Sequence, residues 1–347
     1  MAHKPLRAIL VGCGGICGAW LPHIVKNPGV KIVALVDLNP ESAQRRAREY
    51  ELDDVLLATS LEGALSIKDA DVVFDCTVPA AHHDVTMIAL RHGCHVLGEK
   101  PLADSMEHAR AMVAEAQRAQ RIYAVIQNRR YNAGIRRLRA FLESGALGRI
   151  TTACCDFFIG IHVSGFRQQM EHVLLLDMAI HTFDAARFLL GGARARTALC
   201  HEWNPPGSGL GHGAAAEAIF EMAGDATFIY RGSWCAEGLH TSWEGSWRII
   251  GEKGSVLWDG KEGFRAEVPE QAESFTWPQR ALEVPPAEFP AQSSGHESII
   301  AEFIAAVQNG TAPETVCTDN ILSLAMVFSA IESAARGARV NVDALFS

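Results

Sequence analysis

Lys100 follows a short apolar run, 95–98, and precedes Pro101. A cation at the carboxyl end of a strand, held in place by a following proline, would point into the crevice where open parallel sheets bind ligands. The Lys100–Pro101 bond is open to the cis form, which would orient the lysine. The same lysine is equally at home on an open surface ahead of a helix. A second pair, Asp177 and His181, lies four residues apart in the apolar segment 174–184. On a helix the two share one face. They are either a core histidine satisfied by its aspartate or a general base tuned by one. His172 lies nearby, but no HExxH string or closed ligand set accompanies it, so no metal is expected.

A third group is the string Gly12-Cys13-Gly14-Gly15-Ile16-Cys17-Gly18. It follows an apolar run at 6–11 and opens a helical pattern. A glycine turn in that position lets the backbone approach a pyrophosphate, whose charge then sits at the helix N-terminus. Cys17 occupies the third glycine position of the fingerprint, and a small thiol there still permits close helix–strand packing. Asp37 ends the second apolar run, where the fingerprint places a carboxylate for the adenosine ribose 2′-hydroxyl. Leu38 and Asn39 offer no cation for a 2′-phosphate, so NAD is expected over NADP.

The elements that must position these groups change character partway along the chain. Apolar runs at 6–11, 31–37, 71–76, 95–98 and 122–126 read as buried strands. Helical patterns at 16–26, 40–50, 83–92 and 105–119 separate them. That alternation predicts a doubly wound parallel sheet, the dinucleotide-binding Rossmann arrangement, over residues 1–126. A helix is expected over 129–144, and residues 127–347 then form a second domain. Strands at 151–160, 195–203, 216–222, 226–234, 246–250 and 254–258 are interrupted by one helix, 177–190. This predicts an α+β domain with a large, open, mostly antiparallel sheet. A Pro-rich stretch, 268–290, reads as a loop, followed by helices at 296–308 and 319–335 and a short strand at 339–342.

The 347 residues carry a formal charge of −9, which disfavours nucleic acid as a partner because phosphate recognition needs a basic face. The arginine clusters Arg45, Arg46, Arg48 and Arg136, Arg137, Arg139 each have acidic neighbours and read as solvated helix faces. No leader-like segment and no apolar run long enough for a membrane span is seen, so a cytoplasmic protein is expected. Nine scattered cysteines without a CxxC pair read as reduced thiols.

The glycine string, Asp37, Glu99-Lys100-Pro101-Leu102-Ala103 and Asp177-Met178-Ala179-Ile180-His181-Thr182-Phe183-Asp184 occur in an order and spacing that resembles the glucose–fructose oxidoreductase/inositol dehydrogenase (Gfo/Idh/MocA) family. Asn128-Arg129-Arg130-Tyr131, the segment 142–150 and the segment 247–256 extend the likeness over essentially the whole chain. The resemblance implies an oxidoreductase that moves hydride between NAD(P) and a secondary hydroxyl or carbonyl of a sugar, cyclitol or related polyol. It implies that Lys100, Asp177 and His181 are catalytic and that all three also touch substrate. Gly12, Gly14, Gly15, Ile16 and Asp37 would bind cofactor, with Thr77, Pro79, His82, Glu99, Lys100 and Arg129 as further neighbours. The loop 161–172, with His162, Arg167 and Gln168, is a candidate substrate wall, to which Trp234, His240 and Trp243 could add. Arg167 would suit a substrate carboxylate or phosphate. The family also contains NAD-dependent glycosidases and non-catalytic nucleotide-binding regulators; the presence of all three catalytic-type residues weighs against the latter. A homodimer or homotetramer is expected, formed through the open sheet.

Overall fold

The computed structural model describes residues 4–162, 165–286 and 295–346. They fall into two compact units: Met1–Tyr131 with Gln292–Leu324, and Asn132–Ala291 with Ala325–Ser347.

In the first unit, strands β1 (Leu6–Val11), β2 (Val30–Val36), β3 (Leu56–Ala58), β4 (Val72–Asp75), β5 (His95–Gly98) and β6 (Tyr123–Val125) form one sheet in the order β3-β2-β1-β4-β5-β6. All neighbours run parallel. The crossovers are α1 (Cys17–Lys26), α2 (Pro40–Glu49), α3 (Leu61–Ile67), α4 (Pro79–Arg91) and α5 (Met106–Ala119). The order reverses between β1 and β4, so the crevice at their carboxyl ends is where such sheets take ligands. Strand β3 and helix α3 escape the sequence pattern, because a strand of three residues at the sheet edge, none of them buried, carries almost no burial signal.

The sequence boundary at 126/127 leaves everything after it to the second domain, yet 292–324 clusters with the first unit. The reason is apolar. Ile299, Ile300, Phe303 and Ile304 of the late helix Gly295–Asn309 join the same buried core as Trp20 and Phe74. Phe74 meets Phe303 edge-on at 6.0 Å and Trp20 at 6.1 Å. Truncating such a residue to alanine typically costs about 3–5 kcal/mol.

The second unit begins with α6 (Ala133–Glu143). Its strands are β7 (Ile150–Phe158), β8 (Ala195–Trp203), β9 (Ala215–Met222), β10 (Thr227–Ser233), β11 (Ser246–Gly251), β12 (Gly254–Trp258), β13 (Phe264–Pro269), β14 (Gln279–Leu282) and β15 (Val340–Asn341). They make a nine-stranded sheet in the order β14-β13-β12-β11-β7-β10-β9-β8-β15, antiparallel except between β7 and β10. Burial alternates along strands such as β8, β9 and β11, as expected of a sheet with one packed and one open face. The packed face receives α8 (Ile180–Leu189), which follows the short α7 (Phe166–Gln169). Phe183 of α8 lies edge-on to Phe220, Tyr230 and Phe228 at 4.9, 5.2 and 6.0 Å. The remaining helices are α9 (Gly295–Asn309) and α10 (Cys317–Arg336), and the division between the units falls within α10.

Two expectations are corrected here. The stretch 268–290 is not all loop, since Gln279–Leu282 pairs with β13 as an exposed edge strand; residues 287–290 lie outside the described residues. The α6 arginines do not form a solvated face. Arg136 and Arg139 lie over the Phe188 ring at 4.8 and 5.2 Å, and Arg137 over Phe264 at 4.4 Å. Stacking guanidinium on an aromatic face rewards arginine specifically. No helix among the described residues is long and apolar enough to cross a membrane.

Burial makes one histidine of the first unit a stability determinant. Loss of hydration, reinforced by Arg121, lowers the His95 imidazole to about 4, and its Nδ1 accepts the Ile122 N–H at 2.9 Å. The fold therefore prefers the neutral ring. Between pH 6.5 and 4 the unfolded chain binds a proton that the folded chain refuses, so stability falls as pH falls through that window. We expect His95→Asn, which retains an acceptor, to flatten the acid limb by roughly 1–3 kcal/mol in urea unfolding measured from pH 7 to pH 4. Parallel curves for the two proteins would remove His95 from the acid response.

Candidate active site

Helix N-termini in the first unit are treated unequally. Asn39, Ser60 and Ser105 cap α2, α3 and α5 by accepting backbone N–H groups. Helices α1 and α4, on either side of the topological reversal, have no side-chain cap, and α1 has no acidic residue in its first turn. Ahead of α1, Gly14, Gly15 and Ile16 are exposed, and a Cβ built on Gly14 or Gly15 would meet nothing within 4 Å. Bare backbone beside an uncapped N-terminus fits a pyrophosphate. Cys17 is fully buried against the helix start, with Sγ 3.2 Å from the Gly14 carbonyl, so the thiol is accommodated where the fingerprint has glycine.

Asp37 sits beside the loop. Its Oδ2 accepts the Cys13 N–H at 2.7 Å and its Oδ1 the Asn39 N–H at 2.8 Å. Each carboxylate oxygen retains acceptor capacity for a ribose hydroxyl. Arg46 departs from the solvated face expected of it. It folds over the loop, donating from Nη2 to the Gly14 carbonyl at 2.6 Å and pairing through Nη1 with Glu49 at 2.7 Å. No local spacing signalled this, because the partner carbonyls lie more than thirty residues upstream.

The Lys100 segment is tethered residue by residue. Glu99 N–H donates to the Asp75 carbonyl at 2.8 Å, and the buried Glu99 carboxylate accepts from Trp20 Nε1 at 2.8 Å and Lys100 N–H at 3.1 Å. Burial raises the Glu99 carboxyl above its usual range. The Lys100–Pro101 bond is cis. His82, buried within α4, faces the Pro101 carbonyl with Nδ1 at 2.8 Å and the Thr77 carbonyl with Nε2 at 3.2 Å, joining the loops after β4 and β5. Tyr123 O–H donates to the Leu102 carbonyl at 3.0 Å. Thr77 is itself held by Asp75, through Oγ1 at 2.6 Å and N–H at 3.0 Å. Thr77, Pro79, His82, Glu99 and Lys100 are thus gathered at the carboxyl ends of β4 and β5. Arg129 lies in the short helix Asn128–Tyr131, which follows β6. Sequence reasoning missed Trp20 and Asp75, whose roles depend on contacts across the sheet.

In the second unit, Leu174–Ala179 is a π-helical turn that runs directly into α8. Such turns recur at functional sites. Asp177 lies in the turn and His181 in the first turn of α8, and they are only 6% and 8% exposed. Arg167 donates from Nε to Asp177 Oδ2 at 2.6 Å, with Nη2 3.5 Å from Oδ1. The arginine expected to meet a substrate anion therefore has an internal carboxylate, and this pair ties α7 to the π turn. His162 is exposed and 3.2 Å from Glu237, while Gln168 gives its carbonyl to Gly211 N–H at 2.9 Å. Trp234 is a core residue and Trp243 is half exposed. His240 Nε2 accepts the Gly160 N–H at 3.1 Å. Residues 163 and 164 of the expected substrate wall lie outside the described residues.

Comparison with known proteins gives the same two-part picture. Residues 6–127 match the oxidoreductase family with an NAD-binding Rossmann fold, and residues 135–257 match the Gfo/Idh/MocA C-terminal domain. A D-apiose dehydrogenase of Rhizobium rhizogenes is 27% identical, over 99% of this chain and 100% of its own. A 1,5-anhydro-D-fructose reductase of Ensifer adhaerens is 24% identical, over 96% and 98%. An oxidoreductase from Agrobacterium radiobacter, solved in complex with NAD+, L-tartaric acid and magnesium, shares the fold with a TM-score of 0.86. It is 23% identical, and the match covers 99% of this chain and 100% of that one. This chain is an NAD(P)-dependent oxidoreductase of the Gfo/Idh/MocA family.

Proposed function

We propose that the protein oxidises or reduces a secondary hydroxyl or carbonyl of a sugar, cyclitol or related polyol, using NAD rather than NADP. The observation that carries the nucleotide half is the uncapped start of α1 and the bare Gly14–Gly15 backbone beside the Asp37 carboxylate. A bound nicotinamide supplies the acceptor or donor of hydride. Gly12, Gly14, Gly15, Ile16 and Asp37 would hold the nucleotide, with Thr77, Pro79, His82, Glu99, Lys100 and Arg129 as further neighbours.

Lys100, Asp177 and His181 are the proposed catalytic residues. In the oxidative direction, neutral His181 takes the substrate hydroxyl proton at an imidazole nitrogen. Asp177 orients that ring or accepts from a neighbouring substrate hydroxyl. The Lys100 ammonium donates to the reacting oxygen and stabilises its developing charge. Arg167, paired with Asp177, positions the aspartate and so acts on substrate through it. Of the candidate wall, exposed His162 is proposed to contact substrate directly. Chemistry of this kind suits a soluble homodimer or homotetramer in the cytoplasm. The open sheet face, with Leu199, Ile219 and Ile250 each 37–40% exposed, is the surface we propose it uses.

Calorimetric titration with NAD, NADH, NADP and NADPH, followed by a sugar and polyol panel read at the nicotinamide absorbance, tests this reading. We expect tight NAD(H) binding and turnover on a polyol; absence of nucleotide binding would overturn it. Asp37→Ser also loses the acceptor for Cys13 N–H, so both dinucleotides should bind more weakly. The ratio is the selective readout. We expect NAD preference over NADP to narrow about tenfold, or roughly 1.4 kcal/mol, and an unchanged ratio would sink the assignment of Asp37.

A further inference from the structure

We propose that His172, Glu202 and His212, all in the second unit, form a binding site for a zinc-class divalent cation. Such a cation would clip the segment 168–174 to the connection between β8 and β9. The proposal does not rest on the nucleotide or substrate reading above, although His172 ends the loop 161–172 named as a candidate substrate wall. It also departs from the expectation of no metal. The three residues are thirty and ten positions apart, and only the fold brings them together.

One ligand atom from each residue lies within 4.8 Å of the other two. His172 Nδ1 is 2.5 Å from Glu202 Oε2, and the His172 and His212 rings meet edge-on with centroids 4.8 Å apart. The backbone around them is already assembled. Gly211 N–H donates to the Gln168 carbonyl at 2.9 Å, Val173 N–H to the His212 carbonyl at 3.3 Å, and Leu174 N–H to the Gly213 carbonyl at 3.1 Å. Asn204 closes the connection, bonding the Leu210 carbonyl at 2.9 Å and the Ala214 N–H at 3.1 Å.

The independent pointer to a ligand is Glu202. Its side chain is only 4% exposed, and Oε1 is buried without a hydrogen-bond partner among the described residues. A buried carboxylate oxygen left unsatisfied is costly, and a bound cation is one way such an oxygen is satisfied. Gly213, at φ +66°, lets the loop pass over this carboxylate: a Cβ there would sit 2.3 Å from Oε1.

Donor chemistry selects the cation. Two imidazoles and one carboxylate form a set that zinc uses with its fourth position open to water or substrate. Calcium and magnesium require six or more oxygens or several retained waters, which this set does not resemble. Ligands of a tetrahedral zinc at about 2.0–2.1 Å stand roughly 3.3 Å apart, so the 2.5 Å His172–Glu202 pair must open slightly while the wider approaches in the cluster, up to 4.8 Å, close. His212 is exposed and is the side chain that swings.

The test uses full-length protein freed of metal by chelation, titrated with Co2+ followed by visible absorption and with Zn2+ followed by calorimetry. We expect one equivalent bound, a tetrahedral cobalt spectrum without a sulfur charge-transfer band, and a rise in thermal midpoint with Zn2+. His212→Ala, at an exposed position, and Glu202→Gln should each weaken binding by about tenfold or more and lose the thermal shift. Three outcomes would overturn the site. These are no binding up to millimolar metal, a sulfur charge-transfer band assigning the ion to cysteines, or equal affinity and thermal shift in wild type and His212→Ala.

Discussion

Lys100→Ala is expected to lower turnover by about a hundredfold or more, the size typical of losing one preorganised electrostatic donor, with NAD affinity within about twofold of wild type. The expectation rests on how the lysine is held. Its flanking residues are anchored to Asp75, Trp20, His82 and Tyr123 by hydrogen bonds of 2.8–3.0 Å, so the backbone has little freedom to re-aim a replacement. Lys100→Arg should rescue little, because a planar guanidinium on a fixed backbone cannot occupy the place of a compact ammonium. Steady-state kinetics on the substrate found in the polyol panel, beside calorimetric NAD binding, separates the two effects. Unchanged turnover would remove Lys100 from the chemistry. A parallel collapse of NAD affinity would make it a nucleotide-binding residue instead.

Gly12→Ala and Gly14→Ala should fail in opposite ways. Gly12 has φ +89°, and a Cβ there would lie 2.6 Å from the backbone carbonyl carbon and oxygen of Cys76 and 2.8 Å from the Thr77 nitrogen. Neither neighbour is a flexible side chain, so β1 and β4 must separate at their carboxyl ends. With the unfavourable φ added, we expect a loss of about 3–5 kcal/mol, seen as an earlier urea transition. Gly14 has no such constraint: nothing lies within 4 Å of its Cβ, and its φ is not positive. Gly14→Ala should fold within about 0.5 kcal/mol of wild type and lose NAD affinity by tenfold or more, because its methyl enters the space proposed for pyrophosphate. Undiminished NAD binding in Gly14→Ala would place the phosphates elsewhere.

The parts legible in the sequence are those whose signal is local. Strands β1 and β5 coincide with continuous apolar runs, and β8 and β12 with the runs read for them, because full or alternating burial writes itself into adjacent positions. Strands β3 and β14 are short edge strands with mostly exposed or half-exposed residues, and they leave no such trace. The π turn at Leu174–Ala179 is also silent, since a segment buried nearly all round looks the same at either helical period. Lys100 and Asp37 could be found because their chemistry follows from position at strand ends. Arg46, Trp20 and the Glu202 cluster could not, because their meaning comes from partners brought together by long-range pairing.

The packing of α9 against the first unit has a consequence for how the protein is made. On the ribosome, the parallel sheet emerges first, but Trp20 and Phe74 find their partners Ile299, Phe303 and Ile304 only after roughly 160 further residues have been added. At ordinary synthesis rates that wait is about 10–30 s. During it the nascent sheet presents an uncovered aromatic flank, a surface that holdase chaperones are suited to shield. Truncations that stop short of α9 would make that exposure permanent.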